Sequence, residues 1–125
     1  MLNFDEVPEF AKNLKTLKKK WRSLPNDIED AKLQIEVLYG TILQDEALKE
    51  FREGFFGTKR ATILQAGDGY EVVKMRLDCA SLGTDKKTRL VFVAIITENT
   101  VKLVELFAKN ANEREDARRL RRYLP

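Results

Sequence analysis

Histidine is absent from this sequence of 125 residues, and cysteine and tryptophan occur once each. Without histidine there is no Ser/His/Asp set, no histidine-activated thiol and no mixed Cys/His metal grouping, so the commonest hydrolase and zinc chemistries fall away. Cys79 has no partner for an intramolecular disulfide. With no signal-peptide pattern at the start of the sequence, it points to a reducing, cytoplasmic setting and reads as an inert residue at a strand end. Long apolar runs are missing too. The longest, Leu90 to Ile96, has strand length, far from the roughly 20 residues that a membrane span requires.

What is present is charge, unevenly spread. The net charge of +3 and pI near 9.0 are only mildly basic. Residues 10 to 24 nevertheless carry six Lys or Arg and no acid, residues 26 to 53 carry eight acids against three bases, and residues 109 to 122 carry six bases against three acids. Two basic arms flank an acidic segment, a distribution compatible with a polyanionic partner. The length suits one domain able to bury its own core.

Taken in order, Leu2 to Val7 reads as a short edge strand before Pro8, which suits the first turn of a helix. Phe10, Leu14, Leu17 and Trp21 recur at helical spacing, which predicts a helix over residues 8 to 22 with Lys12, Lys15, Lys19 and Lys20 turned to solvent. After a turn at Ser23 to Asp27, with Asn26 or Asp27 as cap, Ile28, Ala31, Ile35, Leu38 and Ile42 mark a second helix that ends or kinks near Gly40. A shorter helical piece follows from Asp45 to Arg52. Glu53 to Gly57 then leaves the helices, its two phenylalanines plugging the sheet edge, and Ala61 to Gln65 adds a short strand. Ala66-Gly67-Asp68-Gly69 lacks the spacing of a phosphate-binding loop and reads as a hairpin turn. A final helix covers residues 112 to 123, capped by Asn110 or Asn112, with acids in its first turn and arginines in its last.

Between Tyr70 and Leu106 three β-branched, apolar segments separated by turn-rich links read as consecutive strands of an antiparallel meander. Side chains alternate along a strand, so Val73, Met75 and Leu77 share one face and Val72, Lys74 and Arg76 share the other. The first face suits a core and the second an anion. The fold expected is α+β: an N-terminal helical hairpin over residues 8 to 50, packed on a mainly antiparallel sheet of four to five strands, and a C-terminal helix. Phe10, Leu14, Leu17, Trp21, Ile28, Ile35, Leu38, Val73, Met75 and Leu90 are its expected core.

The order Val73-Lys74-Met75-Arg76, Thr88-Arg89-Leu90-Val91-Phe92, then Leu106-Phe107-Ala108-Lys109-Asn110 before a charged helix resembles the RelE/ParE superfamily of toxins from bacterial toxin–antitoxin modules. The helix around Phe10 to Trp21 and the turn at Leu24 to Lys32 look like that family's N-terminal hairpin. The closing Lys-Asn before an acidic and then basic helix looks more like the RelE/HigB branch. That resemblance implies a ribosome-dependent endonuclease acting on mRNA without metal or cofactor, silenced by a cognate antitoxin, often a small helix-turn-helix protein. Its ParE side implies instead a gyrase inhibitor, or a non-catalytic binding protein.

Carried over position by position, Lys74, Arg76, Arg89 and Lys109 match the family's catalytic cations, with Lys86, Lys87, Arg118, Arg119 and Arg122 as RNA contacts. The sequence departs from the family pattern in two places. The link Ser81 to Lys87 has a single glycine, and Tyr123 lies too far along the last helix to match the C-terminal tyrosine of some relatives. Attack of a 2′-hydroxyl on its neighbouring phosphate needs proton removal, proton donation and stabilisation of the phosphorane. Here lysine, glutamate, tyrosine, the RNA or the ribosome must move the protons, because no histidine can. A cluster of Lys74, Arg76 and Arg89 would stabilise the anionic transition state.

Overall fold

The computed structural model describes residues 2–40, 43–57, 60–77, 88–108 and 116–125. Their element order is β1 (Asn3–Glu6), α1 (Pro8–Leu17), α2 (Leu24–Tyr39), α3 (Asp45–Gly57), β2 (Ala61–Gly67), β3 (Tyr70–Leu77), β4 (Thr88–Ile95), a 3₁₀ turn (Ile96–Glu98), β5 (Thr100–Ala108) and α4 (Ala117–Tyr123). The class is α+β. The strands form one five-stranded sheet in the order β1-β5-β4-β3-β2. From β2 to β5 every neighbour is antiparallel, whereas β1 lies parallel to β5, so the sheet is mixed.

The helical layer differs from a simple hairpin. Pro8 begins α1, but the helix stops at Leu17, whose carbonyl accepts from both Lys20 N and Trp21 N and closes the last turn tightly. Ser23, not Asn26 or Asp27, occupies the N-cap of α2, and its hydroxyl donates to the buried Asp27 carboxylate at 2.8 Å. The third piece is a full helix: Glu53 to Gly57 continue α3 instead of leaving it. Two glycines disfavour helix there by about 1 kcal/mol each. Phe51 stacks on Phe55 one turn later, and Phe55 is buried in the core, so packing overrides propensity. The final helix begins at Ala117 with Asp116 as cap, while the Asn110 and Asn112 caps lie outside the described residues.

The first sheet face carries the main core. Val73, Met75, Leu77, Leu90, Phe92 and Ala94 meet Phe10, Ile28, Ile35 and Leu38 there, and Leu14, Leu17 and Trp21 are half-buried against its margin. Asp68-Gly69 makes the β2–β3 turn, with Gly69 at φ 78°, a conformation for which glycine is the natural residue. The opposite face is more apolar than period-two reasoning suggested. Val72, Val91, Val93, Ile95, Val104 and Phe107 form a second buried cluster, with Leu120, Tyr123 and Leu124 from the α4 region packed on it. β4 is therefore buried on both faces, which its uninterrupted apolar run signals.

Candidate anion site

At the end of that second face the valines give way to cations. β3 and β4 pair with Arg76 directly opposite Arg89 and Lys74 opposite Val91, so the three cations share one face. Arg76 N donates to Arg60 O at 2.8 Å, so its backbone groups point away from β4 towards β2. The Arg76/Arg89 position is consequently a non-hydrogen-bonded pair, the arrangement that brings opposing Cα atoms to about 4.5 Å and their side chains closest. Like charges so placed destabilise a sheet by roughly 0.2–1 kcal/mol.

The two guanidiniums are not equivalent. Arg76 is exposed, whereas Arg89 is half-buried between Arg76 and Phe107, its partner on β5, and its Nη1 donates to Thr88 O at 3.2 Å. Burial first, and the charge of Arg76 second, push the Arg89 pKa below that of a free guanidinium. Arginine starts so high that it stays charged. A desolvated, permanently cationic fork beside a second fork is a site for an oxyanion, since each fork can grip two oxygens of a phosphate. Lys74 stands one row along, beside Thr62 of β2.

Glu105, which sequence reasoning passed over, brings a carboxylate to this face. It lies opposite Val91 on β5, is 6% exposed, and accepts from Asp116 N at 3.0 and 3.1 Å. The cap of α4 is thereby tied to the strand that borders the arginine pair. Asp116 in turn accepts from the backbone N–H groups of Arg118 and Arg119.

The remaining candidates divide. Arg119 Nη1 donates to Asn13 Oδ1 at 2.8 Å and to Val104 O at 3.4 Å, and Arg122 approaches Glu9 Oε2 at 2.8 Å as a charge contact without aligned hydrogen-bond geometry. Both arginines hold α4 to α1. Tyr123 joins them, donating to Glu9 Oε1 at 2.5 Å. Arg118 is exposed in the first turn of α4. Lys86, Lys87 and Lys109 lie outside the described residues, as does Cys79.

Among the described residues no group of three or more His, Cys, Asp or Glu side chains is placed to hold a metal ion, and no helix is long and apolar enough to cross a membrane. What the geometry defines is an α+β domain with a cationic patch at one end of an otherwise apolar sheet face. Comparison with family models, with curated proteins and with solved structures finds no match to this chain.

Proposed function

We propose that this chain is a toxin of the RelE/ParE kind, in the RelE/HigB-like branch, that cleaves mRNA on the ribosome and is neutralised by a cognate antitoxin, a small helix-turn-helix protein. The observation that carries this reading is the direct cross-strand pairing of Arg76 with Arg89, with Lys74 on the same face. These are the cations for which the family resemblance implies a role, and their mutual repulsion has a purpose if an anion sits between them.

In the reaction proposed, the ribose 2′-oxygen attacks the adjacent phosphorus and the 5′-oxygen leaves, giving a 2′,3′-cyclic phosphate. Arg76 and Arg89 hold the non-bridging oxygens and stabilise the phosphorane charge. Lys74 supplies a further positive charge and a proton for the leaving oxygen, while the proton of the 2′-hydroxyl passes to a carboxylate, to the RNA or to the ribosome. No metal is required.

The test is induced expression in a bacterial host, with transcript ends mapped during growth arrest. Cleavage within translated messages by the wild type, and its loss in an Arg89→Ala variant that still folds, is the result expected. Growth arrest with intact messages would transfer support to the gyrase-inhibitor reading, and healthy growth at full expression would remove toxicity altogether.

A further inference from the structure

The two edges of the sheet are built differently. β1 is four residues long and carries Asp5 and Glu6, and charges on a short strand are the usual protection of an exposed edge. β2, at the other edge, runs for seven residues, Ala61 to Gly67, with no charged side chain and no proline. Most of it is exposed, including Ile63 at 38%. Its one irregularity is a bulge between Ile63 and Gln65.

The direction of its free backbone groups follows from the register. Arg60 O accepts from Arg76 N, so Arg60 faces β3, and alternation points the N–H and C=O of Ala61 and Ile63 outward. Beyond the bulge, Gln65 and Gly67 pair with Val72 and Tyr70, whose backbone groups face β2 as those of Arg76 do, so Ala66 also points outward. Ala61 and Ala66, paired with Met75 and Glu71, lie on the same sheet face.

We infer that the β2 edge pairs antiparallel with the β2 edge of a second copy of this chain. In the register that sets Ala61 of each copy opposite Ala66 of the other, both residues present outward backbone groups on the same face, and Thr62 falls opposite Gln65. The two bulges meet at the centre, where Ile63 faces Leu64. No like charges oppose one another along the strand. The Arg60 end of each copy comes against the Asp68 end of the other, an attraction repeated at both ends by the two-fold axis. The surface is small, so association is weak and concentration-dependent. This inference stands independently of the nuclease reading.

Sedimentation equilibrium from about 10 μM to about 1 mM tests it. The wild type is expected to show a reversible monomer–dimer equilibrium. Ala66→Pro removes only an outward N–H, and Ile63→Lys sets like charges at the centre, so each variant is expected to weaken association by about tenfold or more while keeping the native circular dichroism. Leu33→Lys, at a side chain 67% exposed on α2, leaves association unchanged. A monomeric wild type over the whole range, or folded edge variants that dimerise as well as wild type, would overturn the inference.

Discussion

Arg76 and Arg89 face each other across β3 and β4 at a position where no backbone hydrogen bond joins the two strands. Apolar side chains occupy the rows beyond, Val72 against Val93 and Tyr70 against Ile95, so a neutral pair would continue the sheet at no electrostatic cost. The cations sit at the end of the face, where Val91 and Phe107 form an apolar floor that weakens solvent screening. An arrangement that costs stability at one end of a well-packed sheet is the kind found where a ligand supplies the missing counter-charge.

Removing one charge should therefore stabilise the free protein. Arg76→Gln is expected to raise unfolding stability by roughly 0.2–1 kcal/mol, because it ends the repulsion without disturbing a buried group. Inorganic phosphate should raise the melting temperature of the wild type and have less effect on this variant. Urea titration with and without phosphate checks both; a destabilised Arg76→Gln would show that the pair is not in conflict.

The attachment of α4 to α1 should depend on pH at both ends of the scale. The Glu9 carboxyl is held below the ordinary glutamate range, by the Tyr123 hydrogen bond first and by its backbone bond and Arg122 after that. A depressed carboxyl contributes stability that is present above the unfolded value and is lost as pH falls through the folded one. Tyr123 is shifted upward, first by its bond to Glu9, so its contribution is present below the ordinary tyrosine value and is lost as pH rises through the raised one. Amide exchange in residues 117–123 should therefore be slowest near neutrality. Glu9→Gln should remove the acid dependence; unchanged protection in that variant at pH 7 and at acid pH would assign the hold on α4 to Asn13 and Arg119 alone.

A second polar cluster belongs to stability. Glu71 on β3 accepts from Tyr39 Oη at 2.6 Å and from Arg52 Nη2 at 3.0 and 3.2 Å, tying α2 and α3 to the sheet. Arg52 also lies over the rings of Tyr39 and Phe56. Glu71→Ala leaves a hydroxyl and a guanidinium without their acceptor and should destabilise by about 1–3 kcal/mol. Burial first, then the bond to Glu71, raises the Tyr39 pKa, so this phenol should stay protonated through alkaline titration until the chain unfolds. Tyrosine absorbance followed alongside circular dichroism checks this, and ionisation of Tyr39 ahead of unfolding would count against it.

How far the sequence disclosed this arrangement depends on the element. Period-two alternation separated Val73, Met75 and Leu77 from Val72, Lys74 and Arg76, and the structure keeps that division. The hairpin that sets Arg89 beside Arg76 followed from the meander. The continuation of α3 through Gly54 and Gly57 was hidden because it rests on packing of Phe55, a tertiary effect that propensity does not record. The parallel pairing of β1 with β5 joins residues nearly a hundred positions apart, and nothing local marks it. Glu105 looked like one acid in an apolar strand; its bond to Asp116 N depends on where α4 returns.

Arg89 provides the sharpest separation between charge and geometry. Its guanidinium donates to Thr88 O while sharing the face with Arg76, so its orientation is fixed by the strand it belongs to. Lysine at this position keeps the positive charge but offers a point donor where two parallel N–H groups are needed to grip a phosphate. Arg89→Lys should therefore cleave measurably more slowly than wild type. Arg89→Ala should lose about 100- to 1000-fold, the effect of about 3 to 4 kcal/mol of transition-state stabilisation. Single-turnover cleavage on programmed ribosomes, with Lys74→Ala and Arg76→Ala alongside, measures the series. If Arg89→Lys matched wild type while Arg89→Ala did not, charge alone would suffice, and the fork would have no part in orienting the phosphate. Equal rates across all the variants would remove this face from the chemistry and turn attention to the arginines of α4.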